Sequence, residues 1–195
     1  YTHFINQKEA HMMSSTHESV KRAGRLTAIC LKILGALLVF AICAKLFFIV
    51  SGLLSVGGQP LAEWGNQPVS SAVLRGGFDG TNGEMIAQFA ANTISQAILV
   101  ALLALAATIF NDAAKSYTPF SEKQSTRLKI ISLLTLALAV LPPPIQMLLT
   151  MILSPTSDAS AVYELTFLVL SVIFYSLAQV FDYGSMLQKQ SDETL

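Results

Sequence analysis

The sequence predicts an all-α, polytopic membrane protein with four transmembrane helices and both termini cytoplasmic. Three observations carry that expectation. Of the 195 residues, 53% are apolar and only 12% charged, and the mean hydropathy is +0.57, too apolar for an ordinary water-soluble domain. The apolar residues gather into four runs near the about 20 residues of helix that cross roughly 30 Å of hydrocarbon. Lys and Arg, finally, cluster beside alternate ends of those runs, the pattern that sets membrane orientation.

The chain opens with "YTHFINQKEAHMMSSTHES", polar and without the basic lead, short apolar core and cleavage site of a signal peptide. Residues 1–12, with "HM" ahead of Met13 like a cloning junction, are set aside as an added or disordered tail. Residues 13–195 form one membrane domain. Its first run, "LTAICLKILGALLVFAICAKLFFIVSGLLSV" at 26–56, is longer than one perpendicular span needs, and 26–50 is taken as the span. Cys30 and Cys43 both lie in it, thirteen positions apart, about 20 Å along a helix. That separation excludes a disulfide between them, and both read as small buried hydrophobes.

The connection 57–92 is rich in Gly, Asn and Pro and carries the one tryptophan, Trp64. It reads as an external loop partly seated on the membrane surface. Its last stretch, "GEMIAQFAANTISQA", has helical spacing and extends the second span, 93–110, outward. Ala97/Ala101 and Ala104/Thr108 on that span form a small-xxx-small pattern suited to close helix packing. The third span is 130–153 and the fourth 162–181. All four must be helices, because backbone at membrane depth has to satisfy its own hydrogen bonds. The four are expected to pack as a four-helix bundle.

Orientation follows from the basic residues. Lys21, Arg22 and Arg25 precede the first span, Lys115, Lys123, Arg127 and Lys129 lie between spans two and three, and Lys189 follows span four. The connection 57–92 has Arg75 alone, and 154–161 has no basic residue. The loop 111–129 and both termini are therefore expected inside. Within that loop, Pro119 stops the preceding helix and Ser121 with Gln124 fits a capping box for the next. Topology accounts for the charges of the loop. It does not account for the Pro119-Phe120-Ser121 step, and an exposed Phe120 calls for a groove in this protein or in a partner.

Two features inside the membrane invite a functional reading. Pro142, Pro143 and Pro144 are consecutive near the middle of span three. None has an N–H, so the helix must kink or break, and the freed carbonyls with Gln146 beyond them are placed to line a ligand path. The alternative is a purely structural kink. Lys45 interrupts span one at depth, where a charge is a site candidate by default, with Glu164, Gln96 or Gln146 as possible partners. The plainer alternative is that Lys45 reaches the outer interface. Asn92, Ser95 and Gln96 are candidate interhelical hydrogen bonders.

Other chemistry is hard to find. His3, His11 and His17 all lie in the N-terminal tail, the carboxylates are scattered, and no HExxH, CxxC, GxSxG or phosphate-cradling glycine loop is present. The reading is of a non-enzyme with neither metal nor cofactor. A formal net charge of zero gives no ground for direct nucleic-acid binding.

"YTPFSEKQSTRLK" after span two and "AQVFDYGSMLQKQSDETL" after span four resemble the bacterial membrane family called domain of unknown function 2975. The matching positions are Pro119, Phe120, Ser121, Arg127 and Leu128, then Gly184, Leu187, Gln188 and Asp192. The resemblance implies four spans in the bacterial inner (cytoplasmic) membrane and no assigned activity. It also implies a regulatory role, since members are commonly encoded beside a small helix-turn-helix regulator. Two functions are therefore carried forward. The first is docking of a cytoplasmic regulator protein on the 117–129 loop and the tail, through Pro119, Phe120, Ser121, Arg127, Gly184, Leu187, Gln188 and Asp192. The second is a small transporter, channel or lipid- or ligand-binding membrane protein that uses Lys45, Pro142, Pro143, Pro144 and Gln146. Association of copies along small-residue faces is a third possibility.

Overall fold

The computed structural model describes residues 2–69, 80–113, 122–158 and 160–193, with side chains described from Lys21 onward except at 113 and 192. Six helices make up the described chain: α1 (Thr2–Leu54), α2 (Leu61–Gly65), α3 (Asn82–Ala113), α4 (Glu122–Val140), α5 (Pro142–Leu153) and α6 (Leu165–Glu193). Four stretches are long and apolar enough to cross a membrane: Lys21–Leu54, Asn82–Asp112, Glu122–Leu153 (α4 with α5) and Leu165–Ser191. These are the hallmark of a multi-pass membrane protein.

Each helix outruns the apolar run that announced it. α1 is unbroken over 53 residues and takes in most of the segment set aside as a tail, since no proline lies between Thr2 and Leu54 to stop it. α3 begins at Asn82, so the stretch from Gly83 does extend the second span outward as expected, and "TNGE" is its capping box. The Glu84 N–H donates to Thr81 Oγ1 at 3.3 Å, and the Thr81 N–H donates to the Glu84 carboxylate at 2.9 Å. α6 passes through Gly184 to Glu193 instead of stopping.

The end of the molecule holding 55–69, 80–84 and 154–164 is termed the turn end, and the opposite end, with the starts of α4 and the finish of α6, the basic end. At the turn end the chain leaves α1 through Gly57 and Gly58, both at positive φ (+60° and +82°), where glycine is favoured. α2 then packs inward. Trp64 is buried with Ile86 and Leu153, flanked by Ile49 and Val56, so this tryptophan is a core residue and not a membrane-surface anchor. Gly65 permits the contact: a Cβ there would lie 1.6 Å from the Leu153 carbonyl oxygen. Ser154, fully buried, donates to Asn66 Oδ1 at 2.9 Å and lies 2.9 Å from the hydroxyls of both Thr81 and Ser157. One serine thus ties the end of α5 to the start of α3 and to the residue after α2.

The helices form an open row rather than a closed bundle. α1 packs against α3, α3 against α4 and α5, and α4 against α6. Among the described elements α1 packs along α3 and meets the Trp64 cluster with its last turns, α6 packs along α4, and α1 and α6 do not pack on each other. Their remaining faces expose apolar side chains, with Phe40 75% and Phe47 69% exposed on α1 and Leu165 72% on α6. Lipid tails cover such surfaces without cost, because hydrocarbon is as apolar as they are. Cys30 and Cys43 are free and exposed on α1, so they belong to this outer surface and not to a buried one. Ala97, Ala101, Ala104 and Thr108 are likewise exposed. The buried face of α3 is instead marked by Ala87, Ala91 and Ala107.

Candidate functional site: a polar cavity at a broken helix

The site is built on the antiparallel seam between α4 and α6. Residues seven apart return to the same helix face after two turns, and small residues recur on both helices at that spacing. Ser125 Oγ donates to the Ala178 carbonyl at 3.1 Å, and one step on Ser132 Oγ donates to the Ser171 carbonyl at 2.9 Å. Ser125 and Ala178 are fully buried, so the two backbones approach closely. A further step of seven leads to Ala139 on α4 and to Glu164 just ahead of α6, and both line one cavity. There the seam opens.

That cavity has a volume of about 520 Å³ and lies between α3, the α4–α5 junction and the segment leading into α6. Its polar wall is Asn92, Ser95 and Gln96 from α3, Gln146 from α5, and Ser160 and Glu164. Leu99, Leu138, Val162 and Phe167 supply apolar surface, and Ala139, Pro142 and Pro143 complete it. Glu164 is exposed, while Gln96 Oε1 is buried and has no hydrogen-bond partner among the described residues. The Ser95 hydroxyl proton is already donated to the Ala91 carbonyl at 3.0 Å.

The junction owes its chemistry to the three prolines. Leu141 keeps helical dihedrals (φ −77°, ψ −44°), and its N–H donates to the Ala137 carbonyl at 2.9 Å. The next N–H in the chain belongs to Ile145, which donates to the Leu141 carbonyl at 3.4 Å. The helical donors for the carbonyls of Leu138, Ala139 and Val140 would sit on Pro142, Pro143 and Pro144, which have none. Two of those three residues, Leu138 and Ala139, are in the cavity wall.

The candidate residues of the membrane interior therefore divide. Pro142, Pro143 and Gln146 share the cavity wall with Gln96 and Glu164, whereas Pro144 is exposed and absent from it. Lys45 is half-buried on α1 and does not line the cavity. The sequence places Gln146 on a ligand path at the proline break and Gln96 among interhelical hydrogen bonders, but offers Glu164 only as a partner for Lys45. The seven-residue recurrence of Ser125, Ser132 and Ala139 was the signal that would have brought Glu164 to the break.

At the basic end, Arg127 pairs with Asp112 at 2.6 Å and Lys129 pairs with Asp182. Arg127 and Lys129 are thus engaged by carboxylates on α3 and α6. Leu187 is exposed and Gly184 and Gln188 half-buried on the last turns of α6. Pro119, Phe120 and Ser121 lie outside the described residues, as does the side chain of Asp192. Comparison with known proteins finds no match: no family model, no curated protein and no solved structure matches the chain.

Proposed function

We propose that this protein is a non-enzymatic membrane protein that binds a small polar ligand in the cavity at the α4–α5 break, as a receptor or carrier. One observation carries the reading. A cavity between apolar, membrane-length helices is walled by six polar side chains, and Gln96 Oε1, one of their acceptors, is buried without a partner. An unmet buried acceptor costs about 1–3 kcal/mol, and such groups in membrane interiors mark ligand or ion paths. With the 111–129 loop inside, as the basic residues suggest, the cavity lies in the outer half of the membrane and takes its ligand from outside.

Thiol accessibility tests this. In a Cys30→Ala/Cys43→Ala background, a charged, membrane-impermeant thiol reagent is expected to modify the Leu99→Cys variant, whose site is on the cavity wall. The Leu37→Cys variant, on the outer face of α1, stays unmodified. Equal protection of both would remove the reading.

A second reading, docking of a cytoplasmic regulator, is favoured by the Lys129–Asp182 pair, which holds the base of α4 beside the tail of α6. Loop and tail would then offer one surface, as the resemblance to the domain of unknown function 2975 family implies. Phe120→Asp is expected to abolish recovery of the partner from solubilised membranes while the four-span protein still accumulates. Recovery of the same partners by wild type and variant would count against it.

A further inference from the structure

The composition of the cavity wall says which kind of ligand it takes. Broken membrane helices commonly present both signs: free N–H groups where the second half begins and free carbonyls where the first half ends. Here the second half begins Pro142-Pro143-Pro144, so its first three N–H donors are deleted. The anion-binding capacity of a helix start, which resides in those N–H groups, goes with them. The carbonyl side keeps its acceptors, and two of the residues that carry them, Leu138 and Ala139, line the cavity.

The side chains point the same way. Among the described residues of the wall Glu164 is the charged one, and none is Lys, Arg or His. Gln96 Oε1 is an acceptor awaiting a donor, and the Ser95 hydroxyl, having given its proton to Ala91, offers lone pairs. The wall therefore has an excess of acceptors and a net negative charge. Its Leu99 and Phe167 surface and its volume of about 520 Å³ exceed what a bare ion would fill.

We propose that the cavity binds an organic cation of the primary alkylammonium class. Its ammonium donates to the carbonyls at the break, to Gln96 and to Glu164, and its alkyl chain packs on Leu99 and Phe167. Three N–H donors on one cationic nitrogen match three kinds of acceptor, and charge-assisted bonds of this type are the strong ones. The proposal rests on the ligand-binding reading above and adds the sign and shape of the ligand to it.

The test is calorimetric titration of the full-length protein in lipid nanodiscs, with empty nanodiscs subtracted. n-Butylammonium chloride, sodium butyrate and potassium chloride are compared at constant ionic strength. Butylammonium is expected to give a saturable isotherm, and butyrate, which has the same chain and the opposite charge, none. Gln96→Leu and Glu164→Gln are each expected to weaken butylammonium at least tenfold. Glu164 is exposed, so its variant keeps the fold even if the Gln96 variant does not. Butyrate binding as tightly, no saturable heat with butylammonium, or unchanged affinity in Glu164→Gln would each overturn the proposal. A potassium isotherm that displaces butylammonium would replace the organic cation with an inorganic one and overturn it too. If Leu99→Cys is labelled yet butylammonium fails to bind, only the ligand class falls. If Leu99→Cys is protected, the cavity reading falls first.

Discussion

Gln96 carries the sharpest conflict between stability and use in this molecule. Its buried oxygen has no partner, and an apolar side chain of similar size would remove that penalty. Gln96→Leu is therefore expected to raise the stability of the ligand-free protein by about 1 kcal/mol, the usual size of such effects, in equilibrium unfolding from mixed micelles. Gly65 makes the opposite case. A methyl group there meets the Leu153 carbonyl oxygen at 1.6 Å, and that oxygen belongs to backbone, which cannot swing aside as a side chain would. Gly65→Ala is expected to cost about 3 kcal/mol, the upper part of the overpacking range, in the same measurement. At this scale the sequence was partly legible. Three prolines announce a helix defect from composition alone, whereas Trp64 looked interfacial because its place in the core depends on a glycine from α2 meeting the end of α5.

Among the helices, the four spans were readable as apolar runs, since a membrane imposes helix on any such run. Their ends were not, because a helix continues past its apolar window wherever a cap or a good helix former allows. The Thr81–Glu84 box starts α3 eleven residues before the apolar run, and its spacing was there to be read. Packing faces proved harder still. The alanine pattern on α3 turned outward, and the contact that organises the site is the serine and alanine seam of α4 and α6, recurring every seven residues across two helices. A single-helix scan does not see a match that exists only between two helices. The seam is also testable. Ala178 is fully buried where Ser125 meets its carbonyl, so Ala178→Leu is expected to force α4 from α6 and destabilise the protein by about 2 kcal/mol. Ser132→Ala, which loses one interhelical bond, is expected to cost about 0.6 kcal/mol, typical of such bonds in membranes.

For the molecule as a whole, the described chain divides in sequence into α1, α2 and α3 on one side and α4, α5 and α6 on the other. They meet where α3 packs on α4 and α5 and where α2 packs on the end of α5, and the residues 114–121 join them in sequence. Fragments 1–117 and 118–195 expressed together are expected to assemble and co-purify through a tag on either one. Failure to associate would mean that the contacts between them are too weak to hold the halves without a covalent link.

The row has a consequence for how the chain reaches its fold during synthesis. In a ring of four helices the first span must wait for the last before its packing is complete. Here α1 finds its main neighbour in α3, the next membrane-length helix to emerge, and only its last turns wait for Leu153 at the end of α5. α3 then receives α4 and α5, and α6 arrives last and settles against α4 alone. Assembly can follow the order of translation, each newcomer docking on a helix already in place, with little early surface held open for a distant partner. The cavity closes only at the final step, when the segment bearing Ser160, Glu164 and Phe167 completes its wall. Ligand binding would therefore report that the whole chain has been made and inserted.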